Sequence, residues 1–214
     1  MNKIIISLAV SALAVGPSAM AMVNSTLMNP EKAVAKAPAE FTVRFITTQG
    51  SFLVRVHRAW APLGANRFYN LVKAGFYNDV AFFRVLPGFM AQFGISGLPE
   101  ANAKWKEAVI QDDPPSGHTN SRGMLSFATA GPNTRTTQLF INYGDNGNLD
   151  GMGFTPFAEV SQGMEIVDKL YNGYGEGAPQ GQGPDQSQLQ SNGNIYLKKN
   201  FPKLDYIKKV VLVK

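Results

Sequence analysis

The feature that most constrains the fold of this chain is a two-residue alternation of apolar and polar side chains that recurs along its length. It is clearest in FTVRFI (41–46) and SFLVRV (51–56), which the turn sequence TTQG separates. This period places the apolar residues on one face of a β-strand, and two such runs joined by a short Gly-containing turn form a hairpin. The alternation therefore predicts a β-rich domain that starts near residue 40.

The rest of the chain continues this pattern with two interruptions. Pro62 opens a stretch in which Phe68, Leu71 and Val72 share a helical face, and Gly75 ends it, so this stretch is predicted to be a helix. The 21 glycines and 13 prolines supply frequent turns. Many short strands with two helices predict a mainly β fold, a closed barrel with helical caps. The further strands are predicted at 80–85, 124–128, 138–142, 154–160 and 206–213, and the second helix at 164–171.

The N-terminus has the parts of a secretory signal peptide. Lys3 supplies the positive charge, residues 4–15 form an apolar run, and Ala21 ends a small-residue cleavage site. A membrane anchor is the alternative, but the run is shorter than the ~20 residues of a spanning helix. We therefore expect cleavage after Ala21 and no stable membrane insertion afterwards. The predicted organisation is a signal peptide over 1–21, a flexible lead-in over 22–39 and one domain over 40–214.

Composition and motifs exclude several kinds of chemistry. There is no cysteine and there are only two histidines, so thiolate catalysis and cysteine metal sites are ruled out. No nucleophile elbow, zinc motif or phosphate loop occurs, and DNGNLDG (145–151) lacks the ligands of a calcium loop. The Gly-rich stretch 173–194 completes no dinucleotide fingerprint and is predicted to be a long surface loop with a helical turn after Asp185. The net charge of +5 includes a C-terminal lysine cluster, which we interpret as a solvated face and not as a nucleic-acid site. No metal or cofactor is expected.

Two segments place single polar side chains among large apolar ones. They are FFRVLPGFMAQFG (82–94) and SFATAGPNTRTTQLFIN (126–142), and NLDGMGFTPFAEV (148–160) follows them. An arginine between apolar strand residues is costly unless it is paired, functional or able to reach solvent. On these motifs, which are long and ungapped, the chain from about Phe41 to Val213 resembles the cyclophilin family.

The resemblance implies an eight-stranded antiparallel barrel, closed and capped by two α-helices, with a shallow active-site groove on its outer wall. It implies that Arg84 is the catalytic arginine and that Gln92 orients the substrate. Three positions depart from the family pattern: Thr129 stands where the family has asparagine, Asn148 where it has the tryptophan that binds cyclosporin, and Gly153 where it has histidine. The implied substrate-binding positions are Phe89, Met90, Ala128, Thr129, Gln138, Phe140, Asn148 and Leu149.

The resemblance further implies a peptidyl-prolyl cis-trans isomerase, in which the arginine stabilises the twisted state of an X-Pro bond. Its partners would be proline-containing peptides and unfolded or folding proteins, without nucleic acid, and we expect a monomer. Two alternatives stay open: a non-catalytic peptide-binding or holdase chaperone on the same barrel, and an unrelated secreted β-barrel binding protein. We expect an exported protein and favour the bacterial periplasm over a eukaryotic secretory compartment.

Overall fold

The computed structural model describes residues 25–213, in which one antiparallel sheet curls around an apolar core. The sheet has nine strands in the order β3-β9-β1-β2-β8-β6-β7-β5-β4. The strands are β1 (Glu40–Thr47), β2 (Ser51–His57), β3 (Val80–Ala81), β4 (Arg84–Leu86), β5 (Met90–Phe93), β6 (Met124–Phe127), β7 (Leu139–Asn142), β8 (Ala158–Gln162) and β9 (Tyr206–Leu212). The helices are α1 (Pro62–Ala74), α2 (Pro99–Trp105), α3 (Met164–Val167) and α4 (Gln186–Asn200), with 3-10 turns at Pro30–Lys32 and Gly147–Met152.

The expected closed, eight-stranded barrel is corrected to a curled nine-stranded sheet. The run 80–85, predicted as one strand, divides at Phe82 and Phe83, which are both buried. Its first part, β3, pairs with β9, and its second part, β4, pairs with β5. No pairing within residues 25–213 joins β3 to β4, so these two strands are the edges of the sheet. Phe82 packs in the main core and Phe83 in a second apolar cluster with Leu189 and Leu197.

The hairpin predicted from the alternating pattern is present. β1 and β2 pair antiparallel in the register that sets Phe45 opposite Phe52, and their rings stack 4.8 Å apart in the core. Thr47 N–H donates to the Gly50 carbonyl at 2.8 Å and closes the turn. Gly50 has φ +135°, a backbone conformation that favours glycine. The local sequence is therefore sufficient to specify this part of the sheet.

The helices are only partly those predicted. α1 ends as expected at Gly75, which has φ +74° and donates its N–H to the last turn. α3 is short, α2 was not predicted as a helix, and α4 was predicted only as a helical turn after Asp185. α4 begins at the N-cap Asp185, whose carboxylate accepts from Gln188 N–H at 2.8 Å. The helix runs on to Asn200, past the end of the stretch predicted to be a loop. Its length was not predicted because its mostly polar sequence, broken at Gly193, shows no apolar stripe.

The residues before β1 lie against the domain. Leu27 is buried, and its carbonyl accepts from the Trp105 indole N–H at 2.8 Å. Ala35 N–H donates to Asn70 Oδ1 at 3.0 Å and Ala37 N–H donates to Asn66 Oδ1 at 2.9 Å. Composition predicted a flexible lead-in over 22–39, but from residue 25 onwards this segment is held by contacts with α1 and α2. The predicted signal peptide, 1–21, lies outside the described residues, and no helix within 25–213 has the length and apolarity to cross a bilayer.

Candidate active site

Three strands bring the predicted catalytic residues into one row on the outer face of the sheet. Arg84 of β4 pairs with Gln92 of β5, and Gln92 pairs with Phe140 of β7. The residues that alternate with them, among them Ala91 and Ile141, are fully buried in the main core. Because side chains alternate between the faces of a strand, the residues that point into the core determine which residues point to the groove. The register therefore assembles the site from residues 56 positions apart in the sequence.

A groove of about 520 Å³ lies on this face. It contains every predicted site residue except Asn148, together with residues that were not predicted. The predicted residues that line it are Arg84, Phe89, Met90, Gln92, Ala128, Thr129, Gln138, Phe140 and Leu149, and the additional ones are Lys106, Ala130, Thr134, Thr136, Phe154, Gln186 and Gln190. Gln186 and Gln190 come from α4, so this helix, predicted only as a helical turn after Asp185, forms part of the wall.

One end of the groove is an apolar pocket. Met90, Phe140 and Leu149 form a buried cluster that is separate from the main core, and Phe89 packs against it. Phe154 adds a wall, with its ring edge-on to Phe140 at a centroid distance of 5.7 Å. The sequence analysis assigned Phe154 to a strand, but it lies before β8. The aromatic and aliphatic lining of this pocket suits a small apolar ring.

Buried asparagines hold the segments that carry this pocket. Asn146 Nδ2 donates to the Phe89 carbonyl at 2.8 Å and to Asn142 Oδ1 at 2.7 Å. Asn120 Nδ2 donates to the Phe154 carbonyl at 2.6 Å. Since each amide bonds to the backbone of a pocket residue or to another buried amide, the network fixes the positions of Phe89 and Phe154.

Arg84 is tied to two glutamines through a hydrogen-bond chain. Its Nη1 donates to Gln92 Oε1 at 3.0 Å, and Gln92 Nε2 donates to Gln138 Oε1 at 2.9 Å. Gln138 is thus connected to Arg84 through Gln92. The Gln92 amide is 7% exposed, and its orientation is determined because it accepts on one side and donates on the other.

The other partner of Arg84 is Glu176, which the sequence analysis did not single out. Arg84 Nε donates to Glu176 Oε1 and Nη2 donates to Oε2, both at 2.6 Å, in a two-pronged ion pair. The hydrogen bond from Arg84 lowers the pKa of the Glu176 carboxyl below its ordinary value of 4.5. The only sequence signal was an acidic residue alone among glycines, which by itself is typical of a solvated turn.

The positions that depart from the family pattern lie at the margins of the groove. Thr129 lines it, and its hydroxyl is 2.8 Å from that of Thr134, which orders the loop after β6. Asn148 is exposed on the 3-10 turn and does not line the groove, so its predicted contact is not seen. Gly153 ends that turn with φ +88°. Within residues 25–213, no group of three or more His, Asp or Glu side chains is placed to hold a metal ion.

Comparison with known proteins decides the family. Residues 42–192 match the family described as Cyclophilin type peptidyl-prolyl cis-trans isomerase/CLD. The chain belongs to the cyclophilins. As such it is classed as a peptidyl-prolyl cis-trans isomerase, and the comparisons give no support to a purely non-catalytic binding role.

Bacterial relatives and solved structures agree with this assignment. The cyclophilin chain is 38% identical to a peptidyl-prolyl cis-trans isomerase of Acinetobacter baylyi over 145 residues, 64% of this chain and 76% of the relative. It is 36% identical to peptidyl-prolyl cis-trans isomerase B of Escherichia coli over 136 residues, 60% of this chain and 82% of the relative. A crystal structure of a Cryptosporidium parvum cyclophilin superposes with a TM-score of 0.60 at 23% identity, covering 82% of this chain and 98% of that one, and shows the shared fold.

Proposed function

We propose that this cyclophilin accelerates rotation about X-Pro bonds in unfolded or folding proteins, with Arg84 stabilising the twisted transition state. The observation that carries the proposal is the placement of a charged guanidinium beside an apolar pocket in one open groove. The pocket of Met90, Phe140 and Leu149 would hold the proline ring while Arg84 faces the bond that rotates.

The proposed reaction makes and breaks no covalent bond, but its energy barrier is high. Rotation about an amide has a barrier of about 18–20 kcal/mol because resonance must be broken. Spontaneous exchange of X-Pro takes tens to hundreds of seconds, so turnover in milliseconds needs about 7 kcal/mol of differential stabilisation. At the twisted state the prolyl nitrogen regains its lone pair and accepts a hydrogen bond that neither planar isomer can accept. A donor aimed at this atom therefore lowers the barrier without trapping the substrate.

Arg84 suits this task because a guanidinium stays charged at any working pH and carries five N–H donors in a plane. The chain through Gln92 to Gln138 limits the movement of Nη1, and a preorganised donor loses little entropy at the transition state. Gln92 and the backbone at Thr129 would bind the peptide on either side of the proline, so that its two ends turn relative to each other.

The test is replacement of Arg84 by alanine, with Arg122→Ala as a matched control. Arg122 is also paired with a carboxylate, since its Nη2 donates to both oxygens of Asp168 at 2.7 and 2.9 Å, but it does not line the groove. Isomerisation of a short X-Pro peptide is followed by NMR exchange spectroscopy, which needs no coupling protease. Arg84→Ala should lower turnover about a hundredfold, ~3 kcal/mol, with little change in thermal stability, while Arg122→Ala keeps wild-type turnover. Wild-type turnover in Arg84→Ala would refute the mechanism. A wild type that suppresses aggregation without isomerase activity would favour the holdase alternative.

We further propose that the protein is exported, to the bacterial periplasm, and acts there as a monomer. The signal-like residues 1–21, which carry one positive charge, an apolar run and small residues at the end, support export. The large exposed apolar side chains Val34, Met152 and Ile195 belong to separate elements, which supports a monomer. Mass spectrometry of the chain recovered from its own compartment should find an N-terminus near Met22; an intact Met1 there would show an uncleaved anchor. Light scattering should give the mass of a single chain.

A further inference from the structure

The segment between α3 and α4 is a closed loop built around one acidic residue. We name residues 173–185 the Glu176 loop. Gly183 N–H donates to the Glu176 carbonyl at 2.8 Å, and Gly181 N–H donates to the Gly177 carbonyl at 2.9 Å. Gly177 and Gly183 also form a parallel bridge, so the chain returns on itself beside Glu176. The backbone of Glu176 is thus fixed by hydrogen bonds within its own loop.

Close packing explains why the loop is rich in glycine. A Cβ atom at Gly183 would lie 2.8 Å from the Glu176 carbonyl oxygen, and one at Gly181 would meet the same oxygen even more closely. Side chains at either position would push the loop away from Glu176. The glycines, which from the sequence suggested a surface loop, therefore allow close packing that fixes the backbone of Glu176.

The Glu176 carboxylate, held by this loop, accepts hydrogen bonds from Arg84 of the groove. Its two oxygens accept from Nε and Nη2 of Arg84 at 2.6 Å, and Oε1 also accepts from Gly177 N–H at 2.8 Å. Parallel N–H···O pairs of this kind define both the position and the plane of a guanidinium. Gln92 holds Nη1 from the other side at 3.0 Å. All three nitrogens of Arg84 are therefore held, by residues 8 and 92 positions away in the sequence.

The ion pair leaves the groove open. Arg84 lines the groove, whereas Glu176 is not among its lining residues. Nη1 donates to Gln92 and also to Met90 Sδ at 3.8 Å, so both of its hydrogens are used. Nη2 makes one hydrogen bond and keeps a further hydrogen for a bound peptide. A carboxylate that blocked the site would line the groove, and Glu176 does not.

We propose that Glu176 is a positioning residue of the isomerase, which locks the plane of the Arg84 guanidinium so that its free Nη2 hydrogen faces the rotating X-Pro bond. The proposal rests on the function proposed above for Arg84. Glu176 stays paired with Arg84 when peptide is bound, and its removal slows the rotation step while leaving peptide affinity almost unchanged, because the apolar pocket does not involve it.

The first experiment compares Glu176→Gln with Glu165→Gln, the same chemical change at an exposed residue of α3. Glu176→Gln should lower kcat about tenfold, short of the ~10²-fold that a 1 Å misplacement of a catalytic group can cost. The Kd of the peptide, measured by NMR titration, should change less than about twofold, a small free-energy difference. Glu176→Asp, which keeps the charge on a shorter side chain, should recover part of kcat. Glu165→Gln should behave as wild type.

The second experiment uses the wild-type chain and does not depend on how well a variant folds. The Arg84 Nε–H resonance is assigned by its loss in Arg84→Lys, and it should lie downfield because of the short bond to Glu176. It should stay there when the protein is saturated with an X-Pro peptide. Movement to the position of a free arginine on peptide binding would show that Glu176 is a competitor that leaves, and would overturn the proposal.

The outcomes separate this proposal from the function on which it rests. If Arg84→Ala is fully active, the arginine mechanism fails. If Arg84→Ala is impaired but Glu176→Gln keeps or exceeds wild-type kcat, only the positioning role fails, and a rise in kcat would identify Glu176 as an inhibitory ligand of the arginine. If both variants are impaired and Glu176→Gln binds the peptide with unchanged affinity, the arginine mechanism and the positioning role of Glu176 are both supported.

Discussion

Asp113 is predicted to be one of the most important single side chains for the stability of this domain. Its Oδ1 accepts from Leu63 N–H and its Oδ2 from Gly64 N–H, both at 2.8 Å, at the first turn of α1. Its Oδ2 also accepts from Nη1 and Nη2 of Arg135 at 3.1 Å. The side chains of Asp113 and Arg135 are 1% and 3% exposed, so solvent does not screen this pair.

The cost of Asp113→Ala can be worked from these contacts. Removing one partner of a buried ion pair costs about 3–5 kcal/mol, because the other charge stays buried. Arg135 keeps the Gln111 carbonyl as an acceptor, so the cost of leaving its charge without Asp113 lies at the low end of that range. Loss of a carboxylate that caps a helix start costs about 1 kcal/mol more. We expect about 4 kcal/mol in total, a large part of the ~5–15 kcal/mol of a typical domain.

Urea denaturation followed by tryptophan fluorescence measures this loss. Asp112→Ala is the control, since its side chain is 26% exposed and its Oδ1 lies 3.1 Å from Arg135 Nε without the alignment of a hydrogen bond. It should cost about 1 kcal/mol or less. The dependence on urea should keep its slope in both variants, so that the midpoints report stability alone. Equal destabilisation by Asp112→Ala and Asp113→Ala would refute the assignment of the buried charge to Asp113.

Two further predictions concern the groove. Because Arg84 lowers the pKa of Glu176 in the folded chain, the ion pair stabilises above the ordinary glutamate value of 4.5, and this contribution is lost as the pH falls through the lowered pKa. The Tm difference between wild type and Glu176→Gln should therefore be constant from about pH 8 to about pH 6 and shrink as the pH falls below 4.5; a difference that stays constant in acid would contradict the pairing. The second prediction is weak cyclosporin binding, because Asn148 replaces the tryptophan that contacts it in sensitive cyclophilins. Asn148→Trp should tighten binding about ten- to a hundredfold, or 1–3 kcal/mol, and equal affinities in a titration would show that Asn148 is not the cause.

Much of this site could be predicted from the sequence because its determinants are local. The alternation that turns Ala91 and Ile141 into the main core turns Gln92 and Phe140 to the groove side of the sheet. The motifs around Gln92 and Phe140 are long enough to identify the family before any contact is known. The pocket residues Met90 and Leu149 were predicted for the same reason. Nearly all of the predicted groove is therefore present, with Asn148 as the exception.

What the sequence by itself determined through local pattern is the β-hairpin and α1, since strand period, turn residues and helix caps act over a few positions. The family and the groove residues followed from the resemblance of long, ungapped motifs and not from the strand period. Only the tertiary structure decided which side chains meet across long separations. The Arg84–Glu176 pair spans 92 positions, and the Trp105 bond that holds Leu27 spans 78. α4 also depended on tertiary context, because burial of Leu189 and Leu197 against β3 and its neighbours stabilises a polar sequence that has no apolar stripe of its own. Such contacts are selected by packing free energy over the whole domain, and no local pattern encodes them.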